Sequence, residues 1–288
     1  MQTTRKQNQK PPDIPVVEPM NLGEIIDFGL ELYKKNFKGY IIATLIIFSP
    51  SFVLFGLFFA SSFIVTGRTS DVTMGIIMIL FALANYVISI FFLEAMIKIT
   101  SEAYHGRSIT YLESIRFAFK KFLPVSGTMI LMIFVLSLFV LLAVLCFIGG
   151  SALGSPIIGL LLALPPMGLL LYYLLAYSLT PYVVIIDGKL GFQALKRSRE
   201  LFRSSKNATL NVIVIPYLMY ILGIVGSLVP LLSSVLMLLY YPLPIIAMTL
   251  VYFDIKIRYE GYDLFIQAER LDIKLKEEWK IDDQKERG

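Results

Sequence analysis

Charge is scarce in this sequence, and so are the side chains that chemistry most often needs. Only 16% of the 288 residues are Asp, Glu, Lys or Arg, against about 25% in a soluble domain. The single cysteine, Cys146, excludes an intramolecular disulfide and any CxxC pair. The single histidine, His105, leaves a His/Cys zinc site without enough ligands. No nucleophile–base constellation and no phosphate-binding glycine loop can be assembled. The sequence therefore predicts no catalytic residues, no metal and no cofactor, and argues against an enzyme. Residues 1–20 also lack a signal peptide. Arg5, Lys6 and Lys10 are followed by Pro11, Pro12 and Pro15, with no apolar core or cleavage site, which reads as a disordered cytoplasmic tail.

What is abundant is apolar. Hydrophobic residues make up 57% of the chain and its mean hydropathy is +0.73. A water-soluble fold needs polar surface that the middle of this chain does not supply. Crossing a bilayer takes about 20 mostly apolar residues in helix. Six stretches qualify: 40–65, 73–99, 125–149, 156–181, 209–230 and 232–254. The last two are nearly continuous and divide at 227–234, where Gly226, Pro230, Ser233 and Ser234 supply turn chemistry.

Basic residues favour the cytoplasmic side of a membrane, which tests this layout. With six spans the outer loops lie near 66–72, 150–155 and 227–233. Of 26 Lys and Arg, only Arg68 falls there, and of the acids only Asp71. The expected topology is multi-pass in the plasma (inner) membrane with both termini cytoplasmic. The net charge of +5 then flanks spans rather than forming a stripe interleaved with aromatics. Membrane lipids are the expected partner, with another membrane or cytoplasmic protein open and nucleic acid not expected.

Amphipathic helices fill the inner connections. Over 22–38, Glu24, Asp27, Glu31, Lys34 and Lys38 oppose Leu22, Ile25, Ile26, Gly29, Tyr33 and Phe37. Over 110–123, Leu112, Ile115, Phe119 and Phe122 oppose Glu113, Arg116 and Lys120. Over 191–204, Phe192, Leu195 and Phe202 oppose Gln193, Lys196, Glu200 and Arg203. Such helices are expected in the headgroup plane with the apolar face down. One interfacial helix plus one hairpin then repeats three times, over 21–106, 107–188 and 189–261, each closing on Gly106, Gly188 or Gly261. The expected fold is all-α: a 21–262 six-span membrane domain, followed by a 263–288 cytoplasmic C-terminal helix and tail.

Two cytoplasmic stretches, GKLGFQALKRSRELFR at 188–203 and VYFDIKIRYEGYDL at 251–264, resemble a bacterial and archaeal family of six-span membrane proteins. That family includes the membrane domain joined to some glycerophosphodiester phosphodiesterases, and stand-alone members of unknown function. The resemblance rests on Phe253, Asp254, Ile255, Lys256, Ile257, Arg258, Glu260, Gly261, Tyr262, Asp263 and Leu264. It implies the six-span fold and carries over no catalytic residue, because enzymatic members keep their chemistry in a separate soluble domain.

The candidate sites follow from polar residues in apolar settings. Glu94 lies inside a span, where an ionisable group reads as functional by default. Lys98, one turn on, is expected to pair with it, with proton or ion coupling as the competing role. Asn85 and Asn211 read as helix–helix hydrogen-bonders or substrate contacts. Lys196, Arg197, Arg199, Arg203 and Lys206 form the densest basic cluster, suited to lipid headgroups or to topological anchoring. Asp187, Asp254, Arg258, Glu260 and Gly261 sit where spans meet inner helices and read as a structural lock, with Asp254 and Arg258 spaced to pair. Prolines at 50, 165, 166, 216, 242 and 244 fall within spans, where bent helices often line cavities. Two functions fit: a non-enzymatic scaffold or accessory protein, or a transporter of a lipid-like or small amphipathic substrate.

Overall fold

The computed structural model describes residues 19–65, 71–107, 109–204, 206–227, 239–262 and 264. A chain this apolar must satisfy its backbone internally, and helices do so within one segment. Every regular element among the described residues is helical. The order is α1 (Leu22–Lys35), α2 (Phe37–Val65), α3 (Asp71–Tyr104), α4 (Tyr111–Ser151), α5 (Pro156–Ala176), a short α6 (Thr180–Tyr182) running into a π-helical turn (Val183–Asp187), α7 (Gly191–Arg203), α8 (Lys206–Ser227) and α9 (Pro242–Glu260).

Four stretches are long and apolar enough to cross a membrane: Phe37–Gly56, Gly75–Tyr104, Tyr111–Ser151 and Pro156–Asp187. The expected spans at 209–230 and 232–254 fall on α8, on α9 and on residues outside the described set. The dividing point between them also lies mostly outside it. α9 differs in kind from the four apolar stretches. It carries Asp254, Lys256 and Arg258, and its buried residues run without a break from Ile246 to Ile257. Protein encloses it, not lipid.

The core gathers at one end of the bundle around α9. Phe48 of α2 packs on Phe92 of α3 at 4.7 Å and on Tyr241 at 4.9 Å between ring centroids. Two turns further along, the Tyr40 and Thr100 hydroxyls share a hydrogen bond of 3.0 Å. At the end of α3, Tyr104 stacks on Phe253 at 4.3 Å. The same end holds α1, α7 and the π-helical turn. Toward the opposite end, α4 and α5 expose Leu141, Leu145, Ile157 and Leu161 and pack mainly on each other.

The amphipathic helices depart from expectation. The apolar face of α1 meets protein rather than pointing at a membrane. Gly29 packs on Leu250 and Ile246, Tyr33 Oη donates to the Leu239 carbonyl at 2.9 Å, and the Met20 amide bonds Asp254. α1 thus runs antiparallel along α9. In α7, Leu195 and Phe202 are buried with Ala194, Ser198 and Leu201, and of the expected apolar face only Phe192 stays exposed. The reason is that a packed protein face removes as much apolar surface as lipid does and adds close-packed dispersion contacts. The segment 110–123 is likewise not a separate helix. It continues through Pro124 into the span as one helix of 41 residues. Proline deletes a single donor, whereas a break in an apolar setting orphans several backbone groups. The expected tail at 1–20 and the helix at 263–288 fall largely on residues outside the described set.

Candidate functional site

The chain's polar chemistry concentrates at the core end, where three segment ends converge. α5 stops at Ala176, and the chain restarts through Thr180 and Pro181 into the π-helical turn that closes on Asp187. Gly188 follows at φ 70°, a left-handed backbone that L side chains avoid, and redirects the chain into α7. This places Asp187 against α9, where Lys256 Nζ donates to it at 2.8 Å. Arg197 of α7 enters from the other side, 3.8 Å from Asp187, and pairs with Glu260 at the end of α9. Glu200 lies 3.9 Å from the same guanidinium. Lys256 also sits 4.4 Å from the Tyr262 ring centroid, a cation–π geometry. Tyr262 reaches that place because Gly261 turns the chain at φ 61°, capped by its amide on the Ile257 carbonyl at 3.0 Å.

One turn away lies a second ionic site. Asp254 is fully buried and accepts from Arg258 Nε at 2.9 Å. It also accepts the Met20 amide at 2.8 Å, while Arg258 donates to the Met20 carbonyl at 2.8 Å. The pair grips both backbone groups of one residue, Met20, in the segment entering α1. Burying a charge this way is tolerable only because its hydrogen-bonding capacity is filled. Together the two sites tie the α1 entry, the π-helical turn and α7 to α9.

Several expected roles change. Lys98 does not pair with Glu94; its ammonium donates to Glu102 at 2.6 Å, and Glu102 also pairs with Arg107 at 2.6 Å. The lysine stem reaches toward the helix end, where the charge is partly hydrated, instead of into the core. Glu94 is fully buried with neither carboxyl oxygen hydrogen-bonded. Asn85 Nδ2 donates to the Phe81 carbonyl of its own helix at 2.9 Å, not to a neighbour, and Asn211 is buried in α8. In the basic cluster, Arg197 turns inward onto acids. Lys196 and Arg203 are exposed and Arg199 is half-buried, while the Lys206 side chain lies outside the described residues.

Reading the sequence alone misses Met20, Glu102 and Arg107, and does not place Lys256 in a site. The only advance signal for Glu102 is its own i, i+4 spacing from Lys98, identical to that of Glu94. Burial decides between the two, and spacing does not encode burial.

α4 presents a further surface. Its first turns expose Leu112, Phe119 and Leu123, at 58%, 67% and 80%, together with Arg116, Lys120 and Lys121. No family model, curated protein or solved structure matches the chain.

Proposed function

We propose that this chain is a six-span protein of the plasma membrane, with both termini cytoplasmic, that serves as a non-enzymatic scaffold or accessory protein engaging anionic lipid at its inner face. The observation that carries the reading is the division of labour among the bases of α7. Arg197 is neutralised inward by Asp187, Glu200 and Glu260, while Lys196 and Arg203 remain outward. Bases that serve the fold and bases that stay free are thus separated on one helix. Free bases beside apolar spans meet the negative inner leaflet, each adding about 1 kcal/mol. The core end then corresponds to the cytoplasmic side. Three units of amphipathic helix plus hairpin remain the proposed organisation, and the two cytoplasmic stretches support kinship with the six-span family named above.

The test is lipid retention. Protein purified in mild detergent is offered equal phosphatidylglycerol and phosphatidylcholine, and the bound lipid is weighed by native mass spectrometry. Wild type is expected to retain phosphatidylglycerol preferentially. Lys196→Ala/Arg199→Ala/Arg203→Ala is expected to lose most of that preference, and an unchanged preference counts against the reading.

Transport is favoured by one observation, the unpartnered Glu94 within α3. Cysteines placed at Glu94, Asn85 and Asn211 in a Cys146→Ser background separate the two readings. Labelling by membrane-impermeant thiol reagents from both sides supports transport, and silence at all three supports the scaffold.

A further inference from the structure

An apolar groove of about 240 Å³ opens between α2, α3 and α4. Ile46 and Pro50 form one wall, Val87 and Phe91 the second, and Ala118 and Phe119 the third. The α2 and α3 walls belong to apolar spans, so what fills the groove comes from a bilayer. The α4 wall belongs to the amphipathic start of that helix. There Arg116 and Lys120, four residues apart and both exposed, lie on one face beside Phe119. Phe91 stacks on Phe122 at 4.8 Å and leans on Phe119 at 4.6 Å, which ties the two walls together. Unlike α1 and α7, this amphipathic segment keeps much of its apolar face open.

We propose that the groove is a binding site for one anionic glycerophospholipid, with an acyl chain lying against Pro50, Val87 and Ala118 and the phosphate held by Arg116 and Lys120. The occupant is fixed by charge complementarity. The apolar walls accept a chain, and on the exposed face of α4 beside Phe119 the bases Arg116 and Lys120 outnumber the one acid, Glu113, whose carboxylate is taken up by the Thr110 amide at 3.0 Å. This deepens the lipid-engaging reading and rests on its assignment of the core end to the inner leaflet. It names a second, discrete site, separate from the bases of α7.

The probe is a phosphatidylglycerol with a photoactivatable diazirine on one acyl chain, added to the full-length protein in lipid nanodiscs. Adducts are mapped by peptide mass spectrometry. They are expected to concentrate on peptides carrying Ile46, Val87 and Phe119, and to be competed by phosphatidylglycerol but not by phosphatidylcholine. Val87→Phe fills the groove from a half-exposed position and is expected to cut the adducts about tenfold, the equivalent of 1.4 kcal/mol. Ile46→Phe fills it from the opposite wall and is expected to do the same, with both variants checked for wild-type thermal midpoint. Arg116→Ala/Lys120→Ala is expected to abolish the preference over phosphatidylcholine while chain adducts persist. Adducts spread evenly over the outward faces of α4 and α5 overturn the proposal, as does an unaltered signal in both filled variants. The α7 triple variant separates the two readings. Loss of bulk lipid preference there with groove adducts intact upholds both, whereas groove adducts that never localise sink this inference and leave the α7 reading standing.

Discussion

The cost of leaving a polar atom without a partner is the measure that sorts the charged residues. Lys256 and Asp187 are both nearly buried and bonded at 2.8 Å. Lys256→Met takes away the cation hydrogen-bonded to Asp187 and leaves only Arg197, 3.8 Å away, to offset that charge, so it is expected to cost about 1–3 kcal/mol. The readout is a lowered thermal midpoint in detergent, and a midpoint within a degree or so of wild type contradicts the network. Glu94 lies at the other extreme. Glu94→Met removes a buried carboxyl that makes no hydrogen bond and keeps an unbranched apolar stem, so it is expected to raise stability by about 1–2 kcal/mol. Glu102→Gln, by contrast, weakens two ion pairs and is expected to lower it. If the two variants reverse in sign, Lys98 pairs with Glu94 after all. Much at this scale was legible. Gly106, Gly188 and Gly261, which close the expected repeats, all take positive φ. The partner of Lys98 was not, because Glu94 and Glu102 stand equally far from it along the helix.

Among elements, close approach is what fixes the α4–α5 hairpin. A Cβ on Gly150 falls 2.5 Å from Gly159 Cα, and one on Gly159 falls 2.4 Å from the Phe147 carbonyl oxygen. Both neighbours are backbone and cannot rotate away. Gly159→Ala is therefore expected to cost about 1–3 kcal/mol by overpacking. The check is a cysteine pair across the hairpin in a Cys146→Ser background, whose disulfide yield falls if the helices separate. An unchanged yield and an unchanged midpoint contradict the packing described. Helix periodicity revealed the amphipathic faces of α1 and α7 but not what covers them. An apolar stripe looks the same in sequence whether it lies on lipid or on another helix. Here α9, four turns of almost unbroken burial, supplies the cover. Proline was the other ambiguity. The amphipathic segment at 110–123 and the span at 125–149 were expected as separate pieces, yet α4 passes through Pro124 between them, because in an apolar setting continuing the helix leaves the fewest backbone groups unbonded.

At the scale of the molecule, the structure divides into a packed end built around α9 and an opposite end where α4 and α5 expose apolar surface on their outward faces. Composition made the membrane character legible, with 57% hydrophobic and 16% charged residues, and the exposed leucine, isoleucine and phenylalanine of α4 and α5 agree with it. The number of crossings was harder to read. The charges of α9 and the apolar run preceding it blur the last two of the six expected spans, and the proposed orientation rests on where the bases lie. That placement also makes the sharpest prediction. A fluorescent reporter and a periplasmic phosphatase reporter are fused in turn after Gly288, and each is compared with the same fusion placed between Ser151 and Ser155. The C-terminal fusion is expected to be fluorescent and phosphatase-silent, and the loop fusion to show the opposite pattern. An active phosphatase after Gly288 contradicts the proposed topology, because the crossings are then odd in number and the bases following α9 lie on the far side of the membrane from those of α7.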